Sequence, residues 1–408
     1  MKCGLLGRKL GHSYSPQIHA LLGDYSYDLF EREPEDIGQF LLYGDFDAIN
    51  VTIPYKKAVI PYLDRVDDIA RRLGSVNTIV RRADGSLDGY NTDYYGFCSM
   101  VARSALSVAG RKALVLGTGG ASATAQAVLA DLGAHVVVIS RSGENNYNNL
   151  DRHRDAAVIV NTTPVGMYPN TGVAALECAQ FPKLEGALDV VYNPSRTQLL
   201  LDGEKRGLIT ENGLWMLVAQ AKLASEHFTG KKLSDGVIET IYHQLKQQME
   251  NIVLVGMPGC GKSTIGTLLA KKTGKTFADS DELIIKMAGM SIPEIFARHG
   301  EEVFREYETK ALADLGKQSG LVIATGGGCV TKERNHPLLH QNGTIVWVRR
   351  DLERLPTDGR PLSQSQKLMD MYQTRKSLYE SFADAAVDND GTVEETVKRI
   401  ISIMEERK

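Results

Sequence analysis

Eight residues constrain the C-terminal half of this chain more than any other feature: Gly256-Met257-Pro258-Gly259-Cys260-Gly261-Lys262-Ser263. They fit the pattern G-x-x-x-x-G-K-[ST] and lie between an apolar run, 251–255, and a helical pattern, 263–272. A strand that turns through glycines into a helix brings backbone N–H groups together around phosphate oxygens, and the helix N-terminus adds partial positive charge. Gly256, Gly259, Cys260, Gly261, Lys262, Ser263 and Thr264 are therefore the expected nucleotide contacts. Lys262 is expected on the β- and γ-phosphates and Ser263 on Mg²⁺. A glycine turn that merely caps a helix is the plain alternative, and the complete motif in this setting disfavours it.

At 408 residues the chain exceeds one ordinary hydrophobic core, which implies two or three domains. Short Val/Ile/Leu runs at 113–116, 136–139, 158–160, 188–191, 252–255, 322–324 and 345–348 alternate with helical patterns, the signature of α/β architecture with mostly parallel sheets. Asp84-Gly85 separates 77–81 from 87–90 and predicts a hairpin. The main boundary falls at 249–251, where a polar helical segment runs straight into a new strand without a flexible spacer. A second falls at 96–110. Net charge is −3, so nothing suggests a nucleic-acid footprint, and no stretch reaches membrane-spanning length. Arg8 and Lys9 interrupt any signal-peptide core, and five scattered cysteines read as reduced thiols, so a cytosolic location is expected.

An acceptor site is expected near Asp279-Ser280-Asp281, at the carboxyl end of a short strand, 275–278. Alternation in an extended segment would put both carboxylates on one side, Asp279 for the metal and Asp281 for an acceptor hydroxyl. Phe304-Arg305, Gly326-Gly327-Gly328, Arg360-Pro361-Leu362 and Arg375-xxx-Tyr379 follow. This set resembles shikimate kinase over 251–408. The resemblance implies that Asp281 grips hydroxyls and is the candidate base, and that Arg305 and Arg375 hold a carboxylate. It also implies that Gly327 approaches the ring and that Arg360 closes a lid, 356–365, over the phosphates. Forked cations for a carboxylate and a carboxylate for hydroxyls suit a small anionic polyol. Taken singly, Arg305 would be a solvated helix residue and each aspartate a helix N-cap.

In the N-terminal half, Gly117-Thr118-Gly119-Gly120-Ala121 follows the strand 112–116 and opens a helix, 122–132. A second strand about 20 residues on completes a dinucleotide-binding pattern. That strand ends in Ser140-Arg141-Ser142 with no acidic residue for a ribose 2′-hydroxyl, which favours NADP(H) over NAD. Earlier segments carry the chemistry: Gly11-His12-Ser13-Tyr14-Ser15-Pro16, with Ser15 a natural N-cap; Asn50-Val51-Thr52-Ile53-Pro54-Tyr55-Lys56; Ser75-Val76-Asn77-Thr78; and Gly89-Tyr90-Asn91-Thr92-Asp93. A lysine paired with a carboxylate can deliver a proton to a forming alkoxide.

These segments resemble shikimate dehydrogenase over 1–248. The resemblance implies that Ser13, Ser15, Thr52, Asn77, Asp93 and Gln220 bind the substrate and that Lys56 with Asp93 is the catalytic pair. Gly117 to Ala121 and Ser140-Arg141 would hold NADP. Tyr192 would face the substrate, and Gly213 the nicotinamide. Trp215 departs from the small residue usual there, and would either crowd the nicotinamide or fill the core. The Asn-rich stretch 142–160 is short enough to lack a helix.

The fold expected is thus an N-terminal substrate domain (1–100 with 213–248), a Rossmann-like NADP domain (101–212) and a P-loop α/β domain of the nucleoside-monophosphate-kinase type (249–408). Small-molecule substrates, NADP(H), ATP and Mg²⁺ are the expected ligands. The alternatives are a quinate/shikimate dehydrogenase using NAD fused to a different P-loop kinase, and a ligand-binding sensor or scaffold without turnover.

Overall fold

The computed structural model describes residues 1–11, 13–355 and 365–406. Three sheets organise it. The first joins β1 (Lys2–Gly7), β2 (Ser26–Glu31), β3 (Ala48–Val51), β4 (Arg65–Val66), β5 (Thr78–Arg81) and β6 (Leu87–Tyr90) in the order β2-β1-β3-β5-β6-β4. Its β1, β2 and β3 run parallel, while β5 and β6 form the expected antiparallel hairpin across Gly85.

The second sheet holds β7 (Lys112–Leu116), β8 (His135–Ile139), β9 (Val158–Asn161), β10 (Gly186–Asp189) and β11 (Ile209–Glu211), ordered β11-β10-β9-β7-β8. The third holds β12 (Asn251–Val255), β13 (Thr276–Asp279), β14 (Leu321–Ala324), β15 (Gly343–Arg349) and β16 (Ala385–Asp388), ordered β13-β14-β12-β15-β16. Both are wholly parallel. Their inner strands β9, β7, β14 and β12 are almost wholly buried apolar runs, as parallel strands covered on both faces are, while the edge strands β8, β11, β13 and β16 keep exposed residues. In each sheet the first strand, β7 or β12, has a neighbour on either side. That switch of direction opens a crevice at the strand's carboxyl end.

Tertiary contacts divide the chain into two compact units, Met1–Val165 with Ala174–Tyr192 and Asp202–Gln244, and Leu245–Lys408 with Gly166–Val173 and Asn193–Leu201. The two short upstream segments were expected in the cofactor domain. Within the second unit Ser195 N–H donates to Asn342 Oδ1 at 2.8 Å and Arg196 N–H to the Gln341 carbonyl at 2.8 Å. In the first unit Trp215 is buried: its Nε1 donates to Ser99 Oγ at 2.8 Å, and Tyr242 meets it edge-on at 5.4 Å. It fills the core. The Asn-rich stretch forms no helix before a short 3-10 turn at Leu150–His153. Instead, Asn146 and Asn149 side chains bond the Gly143 and Glu144 carbonyls, closing a polar loop on itself.

Among the described residues no helix is long and apolar enough to cross a membrane, and none of the five cysteines is in a disulfide.

Candidate active sites

The first site grows from β3, which ends at Val51 and releases Thr52 to Lys56 into a turn. Lys56 Nζ reaches Asp93 Oδ2 at 2.6 Å. Asp93 opens the helix Asp93–Ser104, where unbonded N-terminal amides favour an anion. Their side chains remain 23% and 11% exposed, so the pair is within reach of a ligand from solvent.

Beneath it lies a neutral network. Asn77 Oδ1 accepts from Thr92 N–H at 2.7 Å, and its Nδ2 donates to Thr92 Oγ1 at 3.0 Å and Gln220 Oε1 at 3.5 Å. Asn50, fully inside, donates to Thr78 Oγ1 at 3.1 Å and accepts from Tyr27 at 2.7 Å. Asn50 and Thr92 belong to this network; both stand inside the sequence motifs, but neither carries a site role there. Ser15 is the first residue of the helix Ser15–Leu22 rather than its cap, and Tyr14 takes the cap position. Ser13 Oγ accepts the Ser15 N–H at 3.2 Å. Tyr192 is half-buried edge-on to Tyr14 at 6.1 Å, and burial raises the pKa of both phenols.

The glycine turn leads from β7 into the helix Gly120–Asp131. Gly117 has φ +107°, and a β-carbon there would press on Thr162 and Thr163. Gly119 has nothing within 4 Å of its would-be β-carbon and Gly120 only Ser75 Oγ at 3.8 Å, so the helix N-terminus looks onto open space. That cradle fits a dinucleotide pyrophosphate. Gly213 is flush against the Val190 carbonyl, where no side chain would fit. Ser140, just past β8, accepts the Gly143 N–H on its Oγ at 2.8 Å, and Arg141 stands exposed near Tyr147. Thr118 and Ala121 complete the turn.

The second site is a cavity of about 910 Å³. The phosphate loop lies between β12 and the helix Lys262–Thr273. Gly261 has φ +97°, and a β-carbon there would crowd Asn389 Nδ2, which instead donates to the Cys260 carbonyl at 2.8 Å. Lys262 Nζ donates to the Gly256 and Met257 carbonyls at 2.8 and 3.0 Å. Ser263 Oγ donates to Asp279 Oδ2 at 2.8 Å. Mg²⁺ keeps most of its ligands as water and phosphate, so this hydroxyl–carboxylate pair fits it. Gly259 and Thr264 line the same cavity.

The alternation expected of Asp279 and Asp281 does not occur. Asp279 caps the helix Ser280–Ala288 by accepting the Asp281 N–H at 2.9 Å, and Asp281 sits in that helix's first turn. Both still border the cavity.

Arg305 is no solvated face residue: it is 6% exposed. Its guanidinium donates to Glu301 and Glu308, each at 2.9 Å. Burial opposes its charge, but the two glutamates outweigh burial and hold its pKa above the ordinary value. Glu308 is fully buried, and burial raises its carboxyl pKa, with Arg305 only partly offsetting it.

The three glycines between these groups are spaced by contact. A β-carbon on Gly326 would lie 2.9 Å from Glu308 and 3.0 Å from Asp281, and one on Gly327 2.6 Å from Pro258. One on Gly328 would overlap the Arg305 guanidinium. Arg375 Nη1 donates to the Gly327 carbonyl at 3.2 Å. Glu308 and Asn389 escaped sequence reasoning; an acid three residues after Arg305 on one helix was the available signal for Glu308. Arg360 lies outside the described residues.

Fold and sites together define a nicotinamide-dependent oxidoreductase joined to a P-loop small-molecule kinase. Residues 5–79 match the family model for the shikimate dehydrogenase substrate binding domain, and residues 258–405 that for shikimate kinase. The chain is 38% identical over 265 residues to the shikimate dehydrogenase (NADP(+)) of Clostridium perfringens strain SM101, covering 60% of this chain and 97% of that one. A solved shikimate dehydrogenase from Peptoclostridium difficile matches at 38% identity and TM-score 0.54, covering 60% of this chain and 97% of its own. One from Thermus thermophilus, in complex with NADP(H) and shikimate, matches at 30% and TM-score 0.53, covering 59% and 98%. The chain belongs to the shikimate dehydrogenase family and carries a shikimate kinase domain after it.

Proposed function

We propose that this bifunctional enzyme reduces 3-dehydroshikimate to shikimate with NADPH and then phosphorylates shikimate with ATP to shikimate 3-phosphate. The observation that carries the reading is the convergence, in one polypeptide, of an acid–base pair above a polyol-binding network and of two arginines and a carboxylate beside a phosphate loop.

Bound NADPH supplies the hydride and bound Mg²⁺–ATP the phosphoryl group. Lys56 Nζ gives a proton to the oxygen of the carbonyl as it becomes an alkoxide, and Asp93 orients that ammonium. Ser13, Ser15, Thr52, Asn77, Gln220 and Tyr192 hold the ring, with Gly213 facing the nicotinamide. In the kinase half Asp281 orients the acceptor hydroxyl and takes its proton. Arg305 and Arg375 fork the carboxylate, and Lys262 and Ser263 fix the phosphates and metal. Arg360 is assigned the closing lid.

We divide the chain into a substrate domain (1–100 with 213–248), a cofactor domain (101–212) and a kinase domain (249–408), and place the enzyme in the cytosol. The exposed Arg141 at the end of β8, where an NAD site would put a carboxylate, supports NADP. The test is shikimate oxidation with NADP against NAD, quinate as rival substrate, and ADP formation with shikimate against gluconate. Preference for shikimate in both assays and for NADP in the first is expected. Binding without turnover would leave only a sensor.

A further inference from the structure

Tyr379 lies wholly inside the kinase unit, at 0% exposure. Its ring stacks on Trp347 of β15 with centroids 5.6 Å apart and planes 14° from parallel. Its hydroxyl donates to the Gly327 carbonyl at 2.5 Å, and the Met257 sulfur of the phosphate loop lies 3.9 Å away. Burial drives its pKa upward, so it stays a neutral donor across the physiological range.

Arg375, one turn earlier on the helix Ser365–Phe382, donates to that same carbonyl at 3.2 Å. On its other side Gly327 rests on Pro258, 2.6 Å from where a β-carbon would sit. One carbonyl thus receives two donors from one helix while its glycine is pressed against the phosphate loop. Peptide planarity makes the Gly328 N–H point opposite to the anchored carbonyl, away from Tyr379. The orientation of the glycine segment and of the Arg375 guanidinium is therefore set at a single oxygen.

We propose that the Tyr379 hydroxyl is a positioning group for the phosphoryl acceptor, holding the Gly327 carbonyl so that the glycine segment and Arg375 present a fixed surface to the ring. This rests on the reading of Gly327 and Arg375 as acceptor contacts. The phenol touches neither substrate nor nucleotide and acts through them.

Tyr379→Phe keeps the ring and its stacking and deletes only the donor. In the full-length chain the KM for shikimate in the kinase assay should rise roughly five- to ten-fold, the effect of one lost buried hydrogen bond. The dissociation constant for ATP and the NADP-linked oxidation of shikimate should each stay within about two-fold. On an Arg375→Ala background the Phe change should cost less than in the wild-type chain, because part of the Tyr379 effect runs through the orientation of Arg375. An unchanged shikimate KM, an equal loss of ATP affinity, or full additivity with Arg375→Ala would each overturn the proposal. A wild-type chain that formed no ADP with shikimate would instead defeat the kinase reading itself.

Discussion

In the dehydrogenase half Asn50, Asn77, Thr78, Thr92 and Gln220 meet through neutral hydrogen bonds, with the part-exposed Lys56–Asp93 pair nearby. In the kinase half the comparable depth is occupied by an ion pair, Arg305 with Glu308, which the exposed Glu301 joins from the surface and part-buried Asp281 faces across the glycines. A neutral network that loses one member leaves uncharged donors and acceptors unsatisfied, at a moderate cost. A buried ion cluster is held by mutual compensation, and removing one member strands the others in low dielectric. Two sites built for one ring should therefore fail in different ways.

The largest contrast is catalytic. Lys56→Ala should cut NADPH-linked reduction by about 10²–10⁴-fold and leave ATP consumption with shikimate intact. Lys262→Ala should do the reverse. Both rates measured on each variant check this, and loss of both activities in either variant would break the separation of the sites.

Next comes stability. Glu308→Leu leaves Arg305 without its buried partner and should destabilise the kinase unit by roughly 3–5 kcal/mol in urea unfolding. Asn50→Leu removes a neutral member and should cost the dehydrogenase unit about 1–3 kcal/mol. Equal costs would erase the distinction.

The pH dependence should differ in sign. Burial lowers the His19 pKa from 6.5 to about 3, so below pH 6.5 the unfolded chain takes up a proton that the folded unit refuses. The dehydrogenase unit therefore loses stability as pH falls through that window. Glu308 is shifted upward from 4.5, so the folded kinase unit keeps a proton the unfolded chain has released. Its contribution declines as pH rises above 4.5 toward its folded pKa. Hydrogen exchange followed by mass spectrometry reads each unit separately, and Glu308→Gln should flatten the second trend.

The smallest effect concerns Trp215. Trp215→Phe keeps an aromatic ring but loses the bond to Ser99, about 1 kcal/mol, and should leave NADPH affinity unchanged. A large change in that affinity would return the indole to the nicotinamide pocket.

How much was legible follows from how local each cause is. The phosphate loop and the Gly117–Ala121 turn are legible because strand, glycines and helix lie within some 20 residues. Asp279 and Asp281 were read with the wrong geometry: a helix begins between them, and an aspartate ending a strand caps a helix as readily as it continues an extended run. Arg305 looks solvated on its own helix; Glu308 lies three residues along that same helix, but the Gly328 segment packed against the guanidinium comes from elsewhere in the sequence. The role of Trp215 depended on Ser99 and Tyr242, distant in sequence, so the residue alone left two readings open.

The most direct test supplies the Lys56→Ala chain with NADPH, ATP and Mg²⁺ and changes only the ring offered. With shikimate it should form ADP at the wild-type rate; with 3-dehydroshikimate it should consume neither NADPH nor ATP, whereas the wild-type chain consumes both in equal amounts. Rapid ATP consumption by the variant on 3-dehydroshikimate, or a wild-type chain that oxidises NADPH without forming ADP, would contradict two consecutive reactions on one ring.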